Sequence, residues 1–473
     1  MIHDLIVIIP ELSLAVLSLA SLMIGVYTKT NRAMISIVFL TILGLTCLMF
    51  YSGPVFYGEA FGGSFANNEY TIRFKSFLLA GISLIFLAYI GYVKDNISTE
   101  FTVLILLSSI GGFVAISAKD LISLFMGLEL QSLPSYILAA FARDNVKSSE
   151  AGLKYFVLGA LASAILLFGG SLIYGFTGSV AYIDIGNALI HTKNIGVLVG
   201  ISMILVSMMF KMSAAPFHMW TPDVYEGAPI IAVALFSSVQ KLAVTGVFVA
   251  FIALTLGKTS IFFVPIIKCF AVLSLFVGAF GAILQTSIKR LMAYSTILNS
   301  GYILLAIIAD ISLGVWHHAF FTYMVIYGIT TIGFFTILAG LFGNRSDDLS
   351  FKDLAGLSYN NKLGAAALVL LISSMIGIPP LAGFFGKYYV LYDLIKAEEY
   401  SLAICAVIAS VVAAFYYLKI VKVMYFDEVI VAHENTAITM PIVMVASVIT
   451  IFIVCFAQNF AEFFNNMKFV LCI

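Results

Sequence analysis

Apolar residues run along this chain in blocks of about 20, set apart by short polar connections. A block of that length crosses a bilayer as a helix. The pattern predicts fourteen spans, at roughly 5–27, 33–51, 74–93, 101–118, 121–142, 151–175, 195–220, 229–252, 261–284, 289–309, 316–342, 363–395, 401–425 and 437–460. The longest connections, 52–73, 176–194 and 343–362, are too short for a separate soluble domain. The fold class predicted is an all-α integral membrane protein.

Two spans are interrupted. Lys211–Pro229 reads KMSAAPFHMWTPDVYEGAP, and Gly377–Val390 reads GIPPLAGFFGKYYV. Proline lacks an N–H and leaves the carbonyl four residues earlier without its helical partner. Pro216 thus frees Met212, while Pro379 and Pro380 free Met375 and Ile376. Lipid tolerates neither a free carbonyl nor a free charge, so broken helices that carry lysines mark functional sites. The breaks also reveal an internal symmetry. Spans 4–8 and spans 9–13 form two groups of five, and the fourth of each is broken and bears a lysine. Five is odd, so the second group starts on the opposite side, as in an inverted repeat. The expected organisation is 1–100 for the first three helices, 101–255 and 256–426 for the repeats, and 427–473 for the last helix.

Composition agrees with the pattern. The chain is 62% hydrophobic and 10% charged, against about 25% charged in a soluble domain. Net charge is zero, which gives no sign of a nucleic-acid partner. Five cysteines, at 47, 269, 405, 455 and 472, form no ligand spacing and are expected to be small buried side chains. The first twelve residues, MIHDLIVIIPEL, lack a basic signal-peptide start, so the first span is expected to be retained. Connections after odd-numbered spans hold 13 Lys and Arg, and the other side holds 7. This bias places both termini on the non-cytoplasmic side.

The four remaining basic residues, Lys211, Lys241, Lys268 and Lys387, fall inside spans. Each mid-membrane lysine costs about 2.5–3.5 kcal/mol, so the set requires partners or water. Burial disfavours a charged amine and a facing carboxylate favours it, so an amine beside a movable acid holds its proton switchably. Lys211 suits that role; its alternative is a static bond to the carbonyls of the break. Glu129, in SLFMGLELQSLPSYIL, is the acid centred in the apolar spans; its alternative is a fixed packing pair. Pro134 predicts a local distortion nearby. Lys241 lies one span beyond Lys211, close to Ser237, Ser238 and Gln240. Lys387 opens the second half of the second break and suggests a terminal proton site. His218 and His318 are candidate bridges, each balanced by ordinary packing. His317, Tyr323, Tyr327 and Thr330 are candidates for a wet path between the halves, with packing as the alternative. Lys268 near a span end is read as snorkelling. Asp223 and Glu226 are proton-uptake groups or surface anions, and Glu150 with Lys154 is a helix-end ion pair.

At these residues the chain resembles a known family. FKMSAAPFHMWTPDVYEGAP, the Glu129 helix, KRLMAYSTILNSGY and GIPPLAGFFGK together are similar to the antiporter-like membrane subunits of respiratory complex I. Among those the likeness is greatest to the subunit N type, called subunit 2 in mitochondria. Lys387 stands where the subunit M type typically has glutamate. The resemblance implies a proton relay in which Glu129 modulates Lys211, Lys241 follows, and Lys387 is the outlet. It implies no counterpart for Lys268. It further implies that NADH and quinone are used by other subunits of the complex, with no cofactor or redox centre in this chain. Other membrane subunits, lipid and protons are the expected partners, and a bacterial inner membrane the expected location. The alternatives are a subunit of a sodium/proton antiporter or membrane-bound hydrogenase, and a scaffold without pumping.

Overall fold

The computed structural model describes residues 2–27, 31–92, 98–191, 194–314, 319–343 and 348–429. Nearly every element is helical. In chain order the main helices are α1 (Ile9–Tyr27), α2 (Asn31–Ser52), α3 (Glu69–Tyr92), α4 (Thr99–Ser117), α5 (Leu121–Ala139), α6 (Val146–Thr177) and α7 (Ile195–Lys211). Then come α8 (Trp220–Gly227), α9 (Ile230–Leu256), α10 (Val264–Ile283), α11 (Ile288–Leu313), α12 (Ala319–Phe342), α13 (Lys362–Ile376), α14 (Ala382–Lys396) and α15 (Tyr400–Phe426). Eleven of the described helices are long and apolar enough to cross a membrane, and α7 and α13 are shorter apolar helices at the two predicted breaks. The predicted span 437–460 lies outside the described residues, as do His317 and His318.

Both breaks form where proline predicts them. α7 stops at Lys211 and α8 starts at Trp220. α13 ends on Gly377, whose φ of 91° suits a left-handed cap, and α14 starts at Ala382. Pro134 behaves otherwise: α5 runs through it without interruption. An interruption that no proline announces occurs at Ser238 inside α9, where the backbone leaves helical values and the hydroxyl donates to the Ala234 carbonyl at 2.5 Å.

The two groups of five pack alike. The first helix of each group lies against the second and the fifth, and the third lies against the fourth. Lipid tails supply no hydrophobic drive between helices, so close backbone approach sets such contacts. A Cβ on Gly111 of α4 would run into the backbone nitrogen of Gln131 of α5. A Cβ on Gly278 of α10 would run into the backbone nitrogen of Leu298 of α11. The same device therefore joins the first pair of both groups.

The connections separate into two faces. The hairpin of β1 (Gly58–Ala60) and β2 (Phe65–Asn67) bridges to Ala118, and Asp120 bridges to Ala181. These lie after spans 2, 4 and 6. On the other face Ser287 bridges to Ser350, and Lys147 meets both Glu226 and Asp348. These lie after spans 5, 7, 9 and 11. The predicted alternation of sides thus appears in the packing.

Burial is uneven. The richest apolar stretch of α9 is 94% buried and that of α11 is 83% buried, against 33% for α6 and 39% for α15. α9, α11 and α12 are the centre of the bundle, and the other helices screen them. Cys47 and Cys269 correct the expectation of buried cysteines. Both are exposed on the apolar outside of the bundle, and Cys405 is half-buried. Cys455 and Cys472 lie outside the described residues.

Candidate functional site

Many polar groups of the core lie around the two breaks and on α11. At the first break the Lys211 ammonium donates to the Ser132 hydroxyl at 2.6 Å and stands 3.9 Å from a Glu129 carboxylate oxygen. Glu129 and Ser132 lie three residues apart on α5, so one face presents both. Ser163 of α6 donates to the same Glu129 oxygen. The carboxylate is half-buried, whereas the lysine side chain is 7% exposed. Lys211 therefore faces an acid that retains access to solvent or a neighbour. It does not bond the carbonyl freed by Pro216. That carbonyl, Met212, accepts from Ser300 of α11 at 2.6 Å. Trp220 donates to the Phe210 carbonyl at 3.0 Å, and Ala215 donates to Ser274 at 2.8 Å. His218 is half-buried in the break; no hydrogen bond joins it to Lys211 among the described residues.

Lys241 is buried in α9. Its ammonium donates to the Thr296 carbonyl at 2.6 Å and lies 5.6 Å from the centre of the Tyr327 ring. Tyr327 donates in turn to the Thr296 hydroxyl at 2.9 Å. Between Lys241 and the Glu129 helix sits a knot of amides and hydroxyls. Gln240 donates to Ser108 at 2.9 Å and Ser135 at 2.6 Å, and Gln131 donates to the Gln240 carbonyl at 3.4 Å. Ser108, Gln131 and Gln240 line a cavity of about 10 Å³, close to the smallest that admits a water.

From Thr296 the polar groups continue along α11. Tyr323 donates to Asn299 at 2.5 Å, Asn299 donates to the Ser295 carbonyl at 2.7 Å, and Ser295 meets the Tyr417 hydroxyl at 2.5 Å. Tyr302 stacks on Tyr323 with ring centres 5.6 Å apart and hydrogen-bonds Ser410. The Lys387 ammonium lies 5.4 Å from the Tyr302 ring centre. It donates to the Met375 and Ile376 carbonyls, both at 3.0 Å. Those are the two carbonyls the proline pair frees.

Several predicted placements change. Lys268 does not snorkel alone: it pairs with Glu399 at 2.5 Å and ties α10 to the start of α15. Two lysines assigned to connections are buried instead. Lys75 of α3 has no exposed surface and is matched with Glu11 of α1 and with Asn67 at 2.6 Å. Lys289 donates to the Ala228 carbonyl at 2.7 Å. Glu129 is not the sole acid in the spans either, because Glu11, Asp310 and Asp393 are more deeply buried. Thr330 bonds its own helix, to the Ile326 and Tyr327 carbonyls.

Asp223 and Glu226 of α8 are surface anions in a network. Arg290 donates to Asp223 at 2.7 Å and to Glu226 at 2.8 Å, and Lys154 reaches Asp223 at 2.6 Å. Lys154 also keeps the predicted contact with Glu150 at 2.6 Å. Partial burial pushes the Asp223 carboxyl up, but the bonds from Lys154 and Arg290 outweigh it and hold the group below the usual carboxylate range.

Two broken helices, buried amines at both, and a polar strip between them define a polytopic membrane protein of the antiporter-like class. Residues 118–413 match the family described as NADH:quinone oxidoreductase/Mrp antiporter, TM. The chain is 43% identical over 431 residues to NADH-quinone oxidoreductase subunit N of Rickettsia felis, covering 90% of this chain and 93% of that relative. Its fold superposes on a chain of respiratory complex I from Thermus thermophilus with bound aureothin, with TM-score 0.80, 27% identity and coverage of 96% and 98%. A chain of the Mrp complex from Dietzia sp. shares the fold at TM-score 0.83, with 20% identity and coverage of 98% and 96%. The chain belongs to the NADH:quinone oxidoreductase/Mrp antiporter family, among the subunit N proteins.

Proposed function

We propose that this chain is a proton-translocating membrane subunit of an NADH:quinone oxidoreductase, and that Glu129, Lys211, Lys241 and Lys387 are its relay. The observation that carries the reading is the facing of Lys211 and Glu129 at 3.9 Å beside a helix break. A charge shift near Glu129 changes how firmly Lys211 holds its proton. The proton passes from Lys211 toward Lys241 past the Ser108, Gln131 and Gln240 knot. It continues along Thr296, Asn299 and the tyrosines to Lys387. His218 serves as an auxiliary group at the first break and His318 as a second candidate. The electron chemistry, with its NADH and quinone, belongs to other subunits, and this chain holds no cofactor. The chain sits in a bacterial inner membrane, as suits its relatives in Rickettsia, against other membrane subunits and lipid. Both termini lie on the non-cytoplasmic side in this reading, which the bias of Lys and Arg in the connections supports.

The test is Glu129→Gln in the assembled complex. Protons pumped per NADH are expected to fall more than the amount of complex formed. Equal pumping per NADH in a fully assembled variant rejects the role of Glu129.

A further inference from the structure

We infer that Ser300 is a positioning residue that couples the first break to the charge on Lys241. The inference rests on the relay reading above and adds a link that reading does not contain. Ser300 lies on α11, in the second group of helices, and is fully buried. Its hydroxyl has two acceptors, both near residues of the first group. One is the Met212 carbonyl at 2.6 Å, next to Lys211; the other is the Thr296 carbonyl at 3.0 Å. A hydroxyl carries one hydrogen and can serve only one acceptor at a time.

The two acceptors are not equivalent. Met212 has lost its helical donor to Pro216, so Ser300 relieves an orphaned carbonyl in a site without bulk water. Thr296 already takes a hydrogen from the Lys241 ammonium at 2.6 Å. While Lys241 occupies Thr296, the Ser300 hydrogen is directed to Met212 and the break stays closed. When Lys241 swings away or weakens as a donor on giving up its proton, the Thr296 carbonyl has a lone pair free and competes for the Ser300 hydrogen. That hydrogen is then shared between the two acceptors, Met212 is paired for less of the time, and the backbone beside Lys211 loosens. The state of the second lysine is thereby reported to the first, with no direct contact between the two amines. Such coupling satisfies the requirement that an element have two arrangements biased by both sites.

The experiment compares Ser300→Ala, Ser300→Thr and Lys241→Met in the whole complex, reconstituted in liposomes. It reads protons pumped per NADH and deuterium uptake of the 213–215 amides. Ser300→Ala is expected to lose at least half as much pumping as Lys241→Met loses, and Ser300→Thr to restore it. The 213–215 amides are expected to exchange about fivefold faster in Ser300→Ala, as one lost hydrogen bond implies. They are also expected to exchange faster in Lys241→Met, where Ser300 itself is intact. Unchanged exchange in Lys241→Met overturns the coupling, since a purely structural serine does not sense Lys241. Wild-type pumping in Ser300→Ala, with Lys241→Met impaired, overturns the assignment of Ser300 alone. Wild-type pumping in Lys241→Met overturns the relay itself. Should Ser300→Ala fail to assemble, Ser300→Cys keeps the shape with a weaker donor. Intermediate pumping there supports the link, and wild-type pumping overturns it.

Discussion

The two breaks occupy matching places in the two groups of helices, yet their lysines do different work. At the first break the lysine precedes the interruption, at the end of α7. It faces Glu129 and Ser132, while the orphaned Met212 carbonyl is satisfied from outside by Ser300. At the second break the lysine follows the interruption, in α14. Its ammonium itself takes the orphaned Met375 and Ile376 carbonyls. No carboxylate stands within ion-pair distance of Lys387 among the described residues. The first amine is thus free to answer to an acid, and the second is bound into the architecture of its own break. A helix break creates a debt of unpaired carbonyls, and whichever group settles it loses freedom. Separating that duty from Lys211 leaves Lys211 available for charge exchange.

The sharpest way to probe this contrast is to remove each amine in turn. Lys387→Met orphans two carbonyls, one buried and one half-buried, and is expected to cost about 3 kcal/mol, from roughly 1–3 kcal/mol each. The thermal midpoint and yield of the assembled complex should fall together with pumping. Lys387→Arg, which keeps the donors, should recover assembly. If Lys387→Met assembles with wild-type stability, the two breaks do not differ as described. Lys211→Met orphans no carbonyl, so its loss of stability should be smaller than that of Lys387→Met. Its pumping per NADH should nevertheless collapse. A Lys211 variant that loses assembly but keeps its pumping ratio would make this lysine the structural one.

The smallest effect concerns the ion network on α8, which borders the first break and has no counterpart described at the second. Asp223 has a folded-state carboxyl below its ordinary range, so its stabilisation is fully present above that range and is lost as pH falls from it through the lower folded-state value. Asp223→Asn should leave stability near neutral pH only slightly reduced and remove part of the acid-side decline. The comparison of acid melting curves for the two proteins checks this. Identical curves would show that the network contributes nothing.

Much of this was legible in the sequence, and the limits have physical causes. Prolines announced both breaks and even the carbonyls that Lys387 satisfies. The spacing of apolar blocks placed the described helices within a few residues. The polar strip on α11 was quoted as a motif without roles, because a serine, threonine or asparagine in a buried helix usually bonds its own preceding turn. Ser300 does that with Thr296 but also reaches across to Met212, and only tertiary packing reveals the second bond. The pairing of Lys75 with Glu11 was missed for another reason. Lys75 lies at the edge of a predicted span and counts with the connections, and only the packing of the hairpin shows it covered by Phe65 and Asn67. The backbone of α9 is interrupted at Ser238, a feature that a serine in an apolar run does not announce. Pro134 shows the converse, since a proline in a well-packed helix need not break it.

One measurement addresses the central claim, that the two breaks belong to a single proton route. It is the pumped-proton yield per NADH of Glu129→Gln, of Lys387→Arg, and of the double variant, each in fully assembled complex. Groups acting in one route are strongly non-additive. The account predicts that the double variant pumps no less than the weaker single variant. A double variant whose losses simply combine would contradict it.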